Sequence, residues 1–434
     1  MYNVLDYGAV ADKNTLNTEA IQKAIDDCNA NGGGTVFVPA GEYVTGTIFL
    51  KSNVELHLEH GATLFASTDL NDYNELDAYE QNFSSAHEKW LGKHLIIAVE
   101  VKNVAISGNG VIDAAGDFFF DEPQIRSWCN GYVWRYGFTV VKDENLLRPG
   151  QVICFIECEN VKVTDITIKN APCWAYFFHG CDYVQVRGIK VLNPPTFANT
   201  DGIDIDCCRY VTVSDCIIRT GDDGITLRCA SKKLKNYKPC EFVTIQNCVI
   251  RASACGMRIG VGAGEIRNAR ISNLVVEDAG TCFGVQSTYG KNCNGRLENI
   301  DISNVTCHKS GKAILVNANN VGYIKNVTFS NMKLTTYTGC TIEAQKDVTE
   351  VKNIVLRDID LTIEHEDEGF VETELSKKYK RDHVINVLNT DGVILDNVRV
   401  FAKEKATEGR KGVLLDENNT NFEVKNSNLE YIFA

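Results

Sequence analysis

From residue 152 onward one short phrase recurs along the chain: NVKVTDITI, YVQVRGIKV, YVTVSDCII, FVTIQNCVI, NARISNLVV, NIDISNVTC, IKNVTFSNM, NIVLRDIDL and GVILDNVRV. Within each phrase apolar and polar residues alternate, the two-residue period of a strand with one buried face. The phrases return at roughly 23–39-residue intervals with Asn, Asp or Gly at the turns. That spacing is the signature of a parallel β-helix, in which each coil buries its apolar side against the next. The expected fold is all-β, a single elongated domain over residues 1–434, and the 44% hydrophobic content can fill a continuous core.

Departures from the rhythm mark the ends and the loops. Ala20, Ile21, Ala24, Ile25 and Cys28 fall on one face of a helix that stops at Gly32, Gly33 and Gly34, so residues 1–50 are expected to cap the open end of the coil. The order helix, glycines, strand is wrong for a nucleotide-binding loop. Insertions are expected at 66–95, 113–150, 229–240 and 364–383. The second holds Trp128, Tyr132, Trp134 and Tyr136, candidates for stacking on sugar faces. The third concentrates Lys232, Lys233, Lys235 and Lys238. Either set can equally be loop packing or solvated surface. The net charge of −13 disfavours nucleic acid and anionic membranes as partners. No apolar run reaches the length of a bilayer span, and MYNVLDYGAV lacks the basic and apolar regions of a signal peptide. The 17 cysteines show no CxxC pairs or histidine spacing of a zinc site, so they read as reduced core residues and no cofactor is expected. These features point to a cytoplasmic location; oligomeric state is not legible.

The chemistry concentrates in residues 199–229, NTDGIDIDCCRYVTVSDCIIRTGDDGITLRC. Asp201 precedes Gly202, and Asp222 and Asp223 precede Gly224; each glycine opens the same alternation. Gly256 and Gly284 open two further segments. If these glycines stack, Ile203, Ile225, Met257 and Val285 face the core, and Asp204, Thr226, Arg258 and Gln286 form an outward column. Crowded carboxylates cannot all ionise freely, so one acid can carry a proton while its neighbours stay charged. Glycoside hydrolysis needs that division of labour. Asp before Gly is also ordinary turn chemistry, and for any single acid that reading competes.

NTDG at 199–202 and GDD at 221–223 resemble the motifs of the polygalacturonase-type pectin hydrolases. NAPCW at 170–174, with Trp174, is similar to that family's NSPFW, and SGNGVIDAAG at 107–116 to its GxGxIDGxG segment. The resemblance implies a right-handed parallel β-helix and an inverting hydrolase, with Asp222 as general acid and Asp201 and Asp223 activating water. Inversion asks for roughly 6.5–9.5 Å between acid and base. The family's GHG histidine falls on Cys255, and its RIK arginine and lysine fall near Gln286, Ser287 and Thr288. Arg258 is the candidate anion clamp in their place; the alternative is an ion pair with Asp204 on the sheet face. Cys255 reads as a small filler, since inversion needs no covalent nucleophile.

Three functions are open on these residues. The first is hydrolysis of pectin-derived oligosaccharides, with loops that favour exo-action. The second is a calcium-dependent lyase in which the acids bind the metal and Arg258 is the base. The third is a non-catalytic carbohydrate-binding helix.

Overall fold

In the computed structural model the described residues are 1–124, 137, 139, 147–230, 233–287, 294–318, 321–346, 350–365, 383–402, 411–429 and 431–433. The four aromatic residues of the second insertion, Lys232, and most of the 364–383 insertion lie outside them. The chain gathers into two compact units: Met1–Pro123, Thr139–Gly221 and Ser231–Lys238 form the first, and Gln124–Phe138, Asp222–Ala230 and Pro239–Ala434 the second.

Near the start of the first unit lies α1 (Thr18–Ala30), which buries Ile21, Ala24, Ile25 and Cys28, four of the five positions of the expected apolar face. Its Gln22 side chain donates to the Phe49 carbonyl at 3.1 Å and accepts from the Phe49 amide at 2.7 Å, satisfying backbone groups that no strand reaches. Four successive coils then contribute β1 (Ile96–Val99), β2 (Ile153–Ile156), β3 (Tyr176–His179) and β4 (Ile203–Asp206). They pair in parallel and in register, so that Ile97, Cys154, Phe177 and Asp204 form one row and Val99, Ile156, His179 and Asp206 another.

The second unit repeats the scheme with β5 (Ile225–Arg228), β6 (Cys240–Val261), β7 (Glu265–Gln286), β8 (Ser310–Ala318), β9 (Cys340–Ala344) and β10 (His383–Leu388). The asparagines of the repeat explain themselves here. Asn268, Asn299, Asn326 and Asn353 all sit in the left-handed region, which asparagine tolerates better than other side-chain-bearing residues. Each amide donates to its predecessor, at 3.3, 3.1 and 2.9 Å. The ladder closes one corner of successive coils.

One expectation of register is corrected. Ile225 stands opposite Met257 and Thr226 opposite Arg258, as the stacked glycines require. On the next strand, however, Phe283 opposes Met257, Gly284 opposes Arg258, and Val285 opposes Ile259. The column is displaced by two residues there. A slip of two leaves every side chain on its original face, so the alternation that reveals the strand cannot reveal the slip. The outward column is also covered rather than solvated: Asp204 and Thr226 are fully buried.

Candidate active site

The second unit holds Asp222 and Asp223 at the turn into β5. Gly224 is required at that turn, because a Cβ would fall 2.6 Å from the Gly256 carbonyl oxygen and 2.7 Å from Ile250. Its amide donates to the Cys255 carbonyl at 2.8 Å, tying the acid pair to β6. The Asp223 carboxylate accepts from the Cys255 amide at 2.8 Å, from Arg258 Nη2 at 3.1 Å, and from Arg258 Nε. Arg258 Nη1 donates to Gln286 Oε1 at 2.9 Å. Three N–H donors on one carboxyl group are the complement of an ionised, acceptor-only carboxylate. Asp223, Asp222 and Arg258 are only 4%, 9% and 9% exposed, so the pair sits where its charges are weakly screened.

Arg258 therefore reaches Asp223 in a two-pronged pair. Gln286 belongs to the same cluster despite the register shift, because its amide reaches back to the guanidinium. Cys255 contributes its backbone N–H. Burial pushes its thiol well above the ordinary range, against the pull of Arg258, so it stays protonated and is a poor nucleophile.

Asp201 and Asp204 lie in the first unit. The Asp201 carbonyl accepts from the Ala175 amide at 2.8 Å, and Asp201 is 5% exposed. Thr200 braces the NTDG segment, its hydroxyl donating to the Phe197 carbonyl at 2.8 Å and accepting from the Gly221 amide at 3.0 Å. Asn199 takes a left-handed conformation and accepts from Arg148 at 2.7 Å. Arg148 is buried, donates also to the Pro172 and Glu88 carbonyls, and so anchors NTDG to NAPCW. Nothing in the polar 113–150 segment distinguishes this arginine by sequence. Trp174 is buried in an apolar cluster with Trp90, Cys154, Ile156, Cys173 and Phe177. Beside it, His179 and Asp206 form a fully covered pair at 3.4 Å, with Phe177 stacked on the imidazole; the sequence reading passed over both.

The described lysines of the third insertion, Lys233, Lys235 and Lys238, are committed to the first unit. Lys233 donates to the Asn82 carbonyl, Lys235 pairs with Glu100, and Lys238 bonds Asp182 and the Gly180 carbonyl, each at 2.8 Å. They strap the loop down.

The sequence profile described as glycosyl hydrolases family 28 matches residues 28–356. The chain belongs to that family. A probable polygalacturonase of Vitis vinifera is 29% identical over 233 residues, 52% of this chain and 44% of its own. An exo-poly-alpha-D-galacturonosidase of Dickeya chrysanthemi is 29% identical over 255 residues, 51% of this chain and 41% of its own. The family-28 chain thus spans under half the length of these relatives. Among solved structures, the exopolygalacturonase of Thermotoga maritima superposes with a TM-score of 0.65 at 21% identity, over 98% of this chain and 91% of its own. The family 28 exopolygalacturonase of Yersinia enterocolitica gives 0.63 at 18% identity, over 100% and 77%. At such identities the likeness speaks for the fold, the right-handed parallel β-helix.

Proposed function

We propose that this family 28 protein hydrolyses pectin-derived oligosaccharides, galacturonides or related glycosides, from the chain end and with inversion. In this reading Asp222 protonates the departing glycosidic oxygen, and Asp201 and Asp223 together activate the attacking water. The observation that carries it is the clamp on Asp223: the Arg258 guanidinium and the Cys255 amide hold this acid in the form a base needs, with Asp222 its neighbour in the chain. The names borne by the Dickeya, Thermotoga and Yersinia proteins support exo-action on galacturonan. A cytoplasmic setting is part of the proposal, supported by the fifteen described cysteines, all buried thiols.

The lyase reading needs Arg258 as a neutral base. A guanidinium is protonated at any physiological pH, and here it is also engaged by a carboxylate, which opposes that role. Asp222→Asn decides among the alternatives. Turnover of digalacturonate should fall about 10²–10⁴-fold while its binding is retained, and the wild-type product should be the inverted anomer by NMR. Undiminished turnover would remove Asp222 from the mechanism, and an unsaturated, ultraviolet-absorbing product would establish a lyase.

A further inference from the structure

In the first unit an asparagine ladder climbs one corner of the coil and then breaks. Asn53, Asn103 and Asn160 take the left-handed conformation at that corner, and the amides of Asn103 and Asn160 each donate to the predecessor's Oδ1 at 2.8 Å. On the next two coils the same corner holds Tyr183 and Tyr210, also left-handed, at φ 59° and 58°. A bulky ring is uncommon in that region, where asparagine is at home. Both rings are exposed as well, at 55% and 44%, and they stack with centroids 5.0 Å apart and planes 10° from parallel. Backbone strain and exposed aromatic surface thus fall on the same two residues, a combination characteristic of places that hold a ligand.

Tyr210 covers one face of Tyr183. On the other side stands the shorter Asn160, so the phenol face there meets a much smaller side chain. Asn160 also ends the ladder, because the next coil has no asparagine to donate to its Oδ1. Two residues along the same strand, Lys162 is exposed, and it stands opposite Gln185, exposed too. No described residue forms an ion pair with Lys162. An aromatic face, two amides and an ammonium therefore share two adjacent strands, about 4.8 Å apart, on the outside of the molecule. They suit a sugar ring that bears a carboxylate: its C–H face stacks on the phenol, its hydroxyls meet the amides, and its carboxylate meets the ammonium. Tyrosine supplies such contact area with little loss of rotamer freedom.

We propose that Tyr183, Asn160 and Lys162 form a second carbohydrate-binding site, which holds a uronide chain on the outside of the coil and does no chemistry. The ligand class rests on the hydrolase reading above. The site itself is built on other strands than the one Asp201 precedes, Ile203–Asp206.

The test measures retention of the Asp222→Asn protein, which should leave the polymer intact, in native gels containing polygalacturonate. Tyr183→Asn, added to that parent, restores the ladder residue; it should weaken retention about tenfold and melt no lower than the parent. Lys162→Gln should weaken retention about two- to fivefold. In otherwise wild-type enzyme neither change should alter kcat/KM on digalacturonate by more than about twofold. A parent that is not retained, retention that survives Tyr183→Asn, or retention that falls only together with the melting temperature would overturn the proposal. Equal retention on a neutral galactan, indifferent to Lys162→Gln, would overturn it too. If Tyr183→Asn does not fold, Lys162→Gln decides alone. If wild type fails to cleave digalacturonate, the hydrolase reading falls, and the gel comparison, which needs no turnover, still decides the site.

Discussion

In the first unit the outer row of the sheet reads Ile97, Cys154, Phe177, Asp204; its first three positions are apolar, and an aromatic cluster of Trp90, Trp174 and Phe83 closes over them. In the second unit the corresponding kind of row reads Thr226, Arg258, Gly284, Leu315, Thr341, Asn386. Both are parallel strands with apolar inner faces, so the coil itself is indifferent to what stands outside it. An apolar outer row has to be covered, and becomes a second small core that contributes stability. A polar outer row is buried at a cost, and that cost is tolerated where the groups act on a ligand.

Three substitutions or conditions press on this contrast. The largest effect should come from placing a charge in the apolar row. Phe177→Asp would bury a carboxylate among Trp90 and Trp174 and opposite Asp204, and should destabilise by more than about 4 kcal/mol in denaturant titrations. A folded, active Phe177→Asp protein would show that the first row is not a core. In the polar row the reverse applies. Thr226 is fully buried and its hydroxyl has no partner among the described residues, so the isosteric Thr226→Val should change stability by no more than about 1 kcal/mol, neutral or favourable. A fall in kcat/KM without loss of stability would mark that hydroxyl as a substrate contact; a clear loss of stability would make it a structural one.

The smallest effect concerns the lysine strap on the first unit. Against the upward push of burial, Arg209 and Lys238 hold the Asp182 carboxyl below its ordinary range, and Lys235 with Gln81 does the same for Glu100. A depressed folded value means that the contribution is complete above the ordinary carboxylate range and is lost as pH falls through the folded value. Asp182→Asn should therefore cost less than about 1 kcal/mol at neutral pH. In thermal melts the gap from wild type should close on acidification below about pH 4. A gap that persists in acid would mean the asparagine disturbs packing rather than the ion pair.

Some of the site was legible in the residues because it is written locally. The NTDG and GDD turns, the helix of the cap, and the inward positions of each coil all follow from patterns a few residues long. Arg148 and Lys312 were not legible. Neither belongs to a motif, and what makes each notable is burial beside groups 24 to 60 residues away in the case of Arg148, and beside the next coil in the case of Lys312. The two-residue slip at Gly284 was hidden for the opposite reason, since a period of two looks the same after a shift of two.

Sequence alone determined that this chain winds into parallel coils and that its acids fall at the turns entering two neighbouring phrases, because strand alternation and turn chemistry are short-range. Only the tertiary structure decided that Arg258 serves Asp223, that Trp174 is packed away in an apolar cluster, and that Lys312 lies on the outer face beside Thr341. Partners of that kind are set by which coil lands on which and in what register, and strand pairing between coils leaves no mark at any one position of the chain.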